Sequence, residues 1–291
     1  MLWIVYALSG AFFKSLTGVF RKKISARMHA MVFAWLNAAI ATLLLLPLLF
    51  FLPHDVFGVF QHHFVLVLGA GVFSLVGVIL NVKALDKEEL SFVAPLNGFI
   101  PLFTLLYAWL FLAELPPLTG IAGLLVIIIG TYVMAIKPNR MRWYDPFIHL
   151  AKSSAAWLSL GVAASYAINT VFLKAATDAG YDTFTVLYAT NLLSCGLASY
   201  ILLTKRRREI IPSLRRSGLA VIGSSVSSLL GAFLHIAAVS LTYASYAVSL
   251  RRFDTVFSVL LGWKLLKESN IRNKLIGAVI ITAGTILLAF T

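Results

Sequence analysis

Acid, cysteine and charge are all scarce in this chain. Of 291 residues only 11 are Asp or Glu, against 24 Lys or Arg, and charged residues make up 12% of the whole. Soluble domains carry about twice that share, near 25%. With 60% hydrophobic residues and a mean hydropathy of +0.92, the composition excludes an ordinary soluble domain and indicates an integral membrane protein. The single cysteine, Cys195, excludes an intrachain disulfide. The chain also lacks a phosphate-cradling glycine loop, a Ser/His/Asp or Cys/His set, and acids or histidines at metal-ligand spacing. Catalysis, a bound cofactor and a metal centre are therefore not expected. His54, Asp55, His62 and His63 share one loop but are too irregularly spaced for a metal site.

The net charge of +13 does not imply nucleic acid, because the basic residues fall in short clusters between apolar segments rather than on one soluble face. A bilayer-spanning helix needs about 20 largely apolar residues. That length predicts ten spans, at roughly 2–20, 30–52, 64–84, 91–112, 118–136, 155–174, 183–204, 218–240, 245–264 and 272–290. Pro116-Pro117 and the stretch from Pro138 to Pro146 are the clearest breaks. Met1-Leu2-Trp3 carries no basic lead, and the first apolar run ends in Arg21-Lys22-Lys23 without a cleavage site, so it is read as a retained helix.

Residues 1–137 lie over 155–291 at a constant shift of 154 without gaps. Trp3 falls on Trp157, Asn37 on Asn191, and Gly69, Ser74 and Gly77 on Gly223, Ser228 and Gly231. Ser91, Leu96, Phe99, Phe103, Trp109 and Glu114 fall on Ser245, Leu250, Phe253, Phe257, Trp263 and Glu268, and Gly123, Gly130 and Thr131 on Gly277, Gly284 and Thr285. Two similar halves of five spans each must run in opposite directions, because five is odd. The expected fold is an all-α integral membrane protein of ten transmembrane helices arranged as a 5+5 inverted-topology repeat. Its halves are 1–137 and 155–291, joined by a cytoplasmic linker at 138–154. Such repeats are common in secondary transporters, with the site near the bilayer midplane. Sorting Lys and Arg by loop leaves Lys174 alone on one side, so the basic side is cytoplasmic and both termini lie outside the plasma (inner) membrane.

These features resemble EamA-type carriers of the drug/metabolite transporter superfamily. The resemblance rests on Glu114 with Gly123 and Gly130, on Glu268 with Gly277 and Gly284, and on the repeat and span count. It implies a central cavity lined mainly by spans 1, 3, 4, 6, 8 and 9, and a small polar or amphipathic metabolite as cargo. Triose-phosphate translocators of the same superfamily look similar in carrying a basic pair on the ninth span. Many members have cytoplasmic termini, the reverse of what the loop charges indicate here.

The polar residues inside the spans are the candidate site. The ninth span, read as one helix, carries Arg251, Arg252 and Asp254. A charge at mid-membrane costs at least about 2.5–3.5 kcal/mol, so such groups face water or one another. Arg251 pairs with Asp254 three residues on, or the arginines clamp an anion with their planar donor forks. Adjacent side chains diverge by about 100° on a helix, so both arginines should not face one pocket equally. Asp254 is either that ion partner or a proton acceptor. Lys14 either snorkels to the cytoplasmic surface or lines the cavity. His235 and Asn81 occupy matching positions of the two halves, and Asn97 matches Arg251 in a fourth span that also holds Pro95, Gly98 and Pro101. Those prolines make a kink, a hinge or a cavity wall. Tyr166 and Tyr246 complete the set, while the serines at 224, 225, 227 and 228 fit close helix packing. The function expected is secondary transport of a small amphipathic or anionic metabolite, such as an amino acid or organic acid. The partners are that solute and the bilayer, with no nucleic acid, in a monomer or weak homodimer. A lipid flippase would instead show an aliphatic cavity, a lipid-modifying enzyme would show interfacial acids and histidines, and an accessory protein would carry out no transport.

Overall fold

The computed structural model of the protein describes residues 2–25, 27–47, 56–87, 93, 96–115, 117–135, 153–205, 209–266 and, towards the end, 276, 277, 279–281, 283, 284 and 287. Several sequence features lie outside the described residues: His54 and Asp55, Ser91, Pro95 and Pro116, the linker from 138 to 152, the basic runs at 206–208 and 267–274, Glu268 and Thr285. Everything assigned among the described residues is helical. In hydrocarbon every backbone polar group must be satisfied internally, and a helix does so within one segment.

The helices are α1 (Leu2–Ser25), α2 (Ala30–Leu45), α3 (Val56–His62), α4 (Phe64–Lys87), α5 (Ile100–Leu112), α6 (Leu118–Ala135), α7 (Ser154–Asp178), α8 (Thr183–Lys205), α9 (Ile210–Val239), α10 (Ala244–Leu250) and α11 (Phe253–Leu266). By length and composition α1, α4, α7 and α9 can each cross a membrane. Helix α3 was not expected; its seven residues are too few to show a period, and it is pinned by Val59, which packs with Val67 and Ala189. Helix α7 is capped by Ser153, whose hydroxyl accepts from the Ala156 amide at 3.4 Å, and α8 by Asp182, which accepts from the Phe184 and Thr185 amides at 2.9 and 3.1 Å. Each cap satisfies helix-start donors that have no intrahelical partner. Helix α9 begins eight residues before the predicted span, with a kink at Ser217 (φ −139°, ψ 17°). Its leading turns hold the exposed Arg215 and Arg216, which hydropathy assigns to a loop.

Two predicted spans that hold candidate site residues, the fourth and the ninth, are interrupted. The fourth passes through a 3-10 turn at Asn97–Phe99 before α5 starts, with Pro101 in its first turn, where a missing amide costs nothing. The ninth, expected as one helix over 245–264, is broken at Arg251–Arg252 into α10 and α11. There the Arg252, Asp254 and Thr255 amides donate to carbonyls three residues back, at 2.9, 3.0 and 2.9 Å. Hydropathy cannot foresee that break, because it arises where two arginines must find partners inside the protein. The interruptions fall at Asn97 and Arg251, which the shift of 154 superposes.

Helices α1 with α9 and α4 with α7 form the largest packing pairs, followed by α2 with α8, then α5 with α7 and α1 with α11. Small residues permit the close approaches. A Cβ on Gly10 would sit 3.4 Å from the Gly231 carbonyl oxygen, and one on Gly231 would sit 3.4 Å from that of Gly10. A Cβ on Gly130 would come 2.7 Å from the Ile281 nitrogen, and one on Gly284 would come 2.8 Å from that of Ile127. The helix ends sort into two levels. At one level Lys22 donates to the Leu85 carbonyl (3.1 Å) and Lys87 to Ser154 (2.9 Å). At the other, His63 bonds Tyr181 (3.1 Å), and the Glu114 carboxylate accepts from the Ala244 amide (3.0 Å) and faces Lys174 (3.8 Å). Helices α1 and α4 thus run one way and α7 the other. Trp109 and Trp157 are more than half exposed near helix ends, as an interfacial belt requires.

Candidate functional site

A cavity of about 180 Å³ opens among α1, α2, α4, α7, α8, α9 and the two interrupted spans. Its wall includes Lys14, Asn81, Asn97, Tyr166, His235, Arg251, Arg252 and Asp254. Of the residues singled out in the sequence, Tyr246 alone is not in the wall. Its ring packs on α6 over Gly120, where a Cβ would come within 2.9 Å of the ring, with Leu124 and Trp3 around it. An aromatic one turn before two arginines invites a cavity assignment, but the helix turns its Tyr246 face to α6.

The break in the ninth span sets the charge geometry. Arg252 is 1% exposed; its guanidinium donates to the Asn97 carbonyl at 3.0 Å and lies 3.7 Å from the Asp254 carboxylate. One interrupted span therefore holds the other, through a carbonyl at the 3-10 turn. Asp254 pairs most closely with Lys14 on α1, at 3.1 Å. This corrects the expected Arg251–Asp254 partnership: no such ion pair forms, and Arg251 donates to the Gly231 carbonyl on α9 at 3.4 Å. The divergence expected of adjacent side chains shows in these partners, since Arg251 reaches towards α9 and Arg252 towards Asn97. Both nevertheless border the same cavity, because each stem is long enough to reach it. Lys14 does not snorkel to the surface; its ammonium also lies 5.9 Å from the Tyr166 ring centroid.

Arg21 is a charged cavity residue that sequence reading missed. It adjoins Lys22 and Lys23 and was assigned with them to the cytoplasmic cluster, yet it is buried and lines the cavity. Its guanidinium donates to the Asn81 side-chain oxygen at 3.4 Å and the Tyr166 hydroxyl at 3.3 Å, and lies 5.7 Å from the Phe33 ring. A helical count from Lys14 could have found it, because residues seven apart return to nearly the same face. Asn37, Asn169, Thr170, Thr190 and Asn191 were likewise not selected, although Asn37 and Asn191 are repeat mates. Asn169 donates to the Ala70 carbonyl at 2.7 Å, and the Thr170 hydroxyl bonds His235 Nε2 at 3.2 Å.

Among the described residues, four basic side chains (Lys14, Arg21, Arg251 and Arg252) face one carboxylate, that of Asp254, across this cavity. Several buried polar atoms of the wall have no protein partner: Nε of Arg21, Arg251 and Arg252, Oδ1 of Asn37 and Asn97, and Nδ1 of His235. Buried polar atoms are ordinarily satisfied, so a cavity wall of this kind suits water or a polar solute. No group of three or more His, Cys, Asp or Glu side chains able to hold a metal occurs among the described residues.

The sequence profile of the EamA-like transporter family matches residues 1–136 and 153–290. The pseudopaline exporter CntI of Pseudomonas aeruginosa, in strain UCBPP-PA14 and in strain PAO1, is 28% identical over 137 residues. That match spans 46% of this chain and 46% of the relative. A solved crystal structure superposes with a TM-score of 0.72 at 14% identity, over 99% of this chain and 96% of the other. At that identity the likeness establishes the fold alone.

Proposed function

The chain belongs to the EamA-like transporter family, and from that premise we propose that it is a secondary carrier moving a small anionic or amphipathic metabolite by alternating access. The observation that carries the anionic reading is the imbalance in the cavity, where, among the described residues, Lys14, Arg21, Arg251 and Arg252 face Asp254 alone. Guanidinium forks suit carboxylates. The cavity, at about 180 Å³, is smaller than the about 300–1,000 Å³ of sites for drug-sized ligands. An amino acid or organic acid fits that scale.

The proposed frame is ten transmembrane helices as two inverted repeats, 1–137 and 155–291, joined by a linker at 138–154. Support comes from the two stretches matched by the family profile and from packing pairs that exchange under the shift of 154, α1 with α9 for α7 with α4. Interrupted helices at matching positions of two repeats are a common construction for transporter sites. The halves rock about the cavity, driven by the solute's own gradient or by protons. Both ends of the chain face the periplasm, because the level holding Lys22, Lys87 and their neighbours is the basic one. Export is the direction supported by the Pseudomonas relative. The mixed polar wall favours a small solute over a lipid.

Purified protein in proteoliposomes, given a panel of radiolabelled organic and amino acids, tests this reading. A thermal-shift screen would narrow the panel first, because a ligand that binds the native state raises its apparent stability. Uptake of one chemical class is expected, with Arg251→Ala and Arg252→Ala each abolishing it at unchanged membrane abundance. Uptake at the wild-type level in both variants would end the proposal.

A further inference from the structure

The cavity's four cations are not equivalent. Lys14 and Arg252 share the Asp254 carboxylate, at 3.1 and 3.7 Å. Among the described residues, Arg21 and Arg251 bond only neutral oxygens: the Asn81 amide and Tyr166 hydroxyl for the first, and the Gly231 carbonyl for the second. Both guanidinium groups border the cavity, and each has a buried Nε without a partner. Their anchoring partners lie at different levels of α1: the Gly231 carbonyl held by Arg251 packs beside Gly10, one turn before Lys14, whereas Arg21 stands further along. Lys14, which sits beside Asp254, and Arg21 are seven residues apart on α1, or about 10 Å along its axis at 1.5 Å per residue. Tyr166 bridges that interval, with its ring under the Lys14 ammonium and its hydroxyl on Arg21. The cavity thus has one guanidinium hydrogen-bonded to a neutral oxygen at the helix break and a second towards the basic end of α1, with an aromatic edge between them.

On the reading that this cavity binds the cargo, we infer that the substrate is a diacid, with one acid group held by Arg251 and the other by Arg21. A monoacid would leave one guanidinium facing the cavity without a counter-charge. Two acid groups on a short chain neutralise both poles and leave the Lys14–Asp254–Arg252 cluster undisturbed. The shared chemistry is that of two carboxylates; the cavity volume limits the linker to a few carbons and excludes long acyl chains.

The test compares adipate with hexanoate, which share a six-carbon backbone and differ in the second acid, as competitors of uptake and as thermal-shift ligands of the full-length protein. The native protein is expected to prefer adipate by about tenfold or more. Arg21→Gln should collapse that ratio towards one, and Arg21→Lys, which keeps the charge, should restore part of it. Equal affinity for the two acids, or an unchanged ratio in Arg21→Gln, would overturn the diacid inference while leaving transport of acids intact. If neither acid binds yet a cationic or neutral solute is carried in proteoliposomes, both this inference and the anionic reading fall. A misfolded Arg21→Gln would not decide the matter, so the adipate-to-hexanoate ratio of the native protein stands as a test by itself.

Discussion

Replacing Asp254 with asparagine keeps the shape of the side chain and removes the one negative charge among the described residues of the cavity wall. Its carboxylate lies 3.1 Å from the Lys14 ammonium and 3.7 Å from the Arg252 guanidinium. Arg252 is 1% exposed and cannot turn to water. Breaking a buried ion pair by removing one partner costs about 3–5 kcal/mol, because the other charge is left uncompensated. Lys14 keeps 22% of its side chain exposed to the cavity, which favours the lower end, about 3 kcal/mol. At about 2–4 °C per kcal/mol for a chain approaching this size, the unfolding midpoint should fall by about 6–12 °C. Thermal unfolding in detergent, followed by tryptophan fluorescence, reads that shift. The double variant Lys14→Met with Asp254→Asn separates pairing from packing. Residues in one ion-pair network couple by about 0.5–3 kcal/mol, so the double variant should melt well above the sum of its parts. Additive losses, or Asp254→Asn melting with the native protein, would refute the claim that this carboxylate holds the cluster together.

Two further perturbations follow from the fold. Alanine at Gly130 or Gly284 drives a Cβ to within 2.7 or 2.8 Å of a neighbouring backbone nitrogen; each should cost about 1–3 kcal/mol by overpacking, read as a lower melting midpoint. Alanine at Gly196, where nothing lies within 4 Å, should be neutral or stabilising by about 0.5–1 kcal/mol. For sidedness, in a Cys195→Ser background, a cysteine at the exposed turn residue Leu241 should react with an impermeant thiol reagent in intact cells. One at the exposed Arg27 should react only after the membrane is opened. The opposite pattern would invert the orientation.

Legibility in the sequence depended on what each residue is used for. The spans from 64 and from 155 were readable because an apolar run of that length has one use in a membrane protein, and α4 and α7 stand where they were expected. The ends were less readable. Helix α9 begins before its apolar run, carrying Arg215 and Arg216 past the kink at Ser217, because helicity continues where hydropathy stops. Helix α3 is too short to declare a period. The break at Arg251–Arg252 was invisible because nothing near it breaks helices; it reflects guanidinium groups seeking the Asn97 and Gly231 carbonyls across the molecule. Asp254 was paired by proximity in sequence, whereas the fold supplies Lys14, 240 positions away, at shorter range.

The shift that exposes the repeat is blind to the charges of the site for a physical reason. Residues that recur under it include those that let helices touch, and the touching is reciprocal: Gly130 meets Ile281 as Gly284 meets Ile127. A reciprocal contact imposes the same demand on both positions, so both keep the small residue. The cavity charges obey no such demand. Lys14 superposes on Ile168, Arg21 on Ala175, Arg251 on Asn97, Arg252 on Gly98 and Asp254 on Ile100. All five lie on α1 or at the α10–α11 junction, and α1 packs along α11. The cavity therefore carries its charge on α1 and at the α10–α11 junction, while α2, α7 and α8 contribute amides and hydroxyls. Doubling the set would place about twice the positive charge in the same 180 Å³, where like charges a few ångströms apart repel by several kcal/mol at low effective dielectric. On the proposed carrier reading, one charged set suffices to hold an anion, and neutral polar groups elsewhere in the wall let it leave. Such residues are found by asking which polar groups an apolar helix has no other reason to contain. That question succeeds for Arg251, Arg252, Asp254 and Lys14, and fails for Arg21 because Lys22 and Lys23 provide an alternative reason for it to be there.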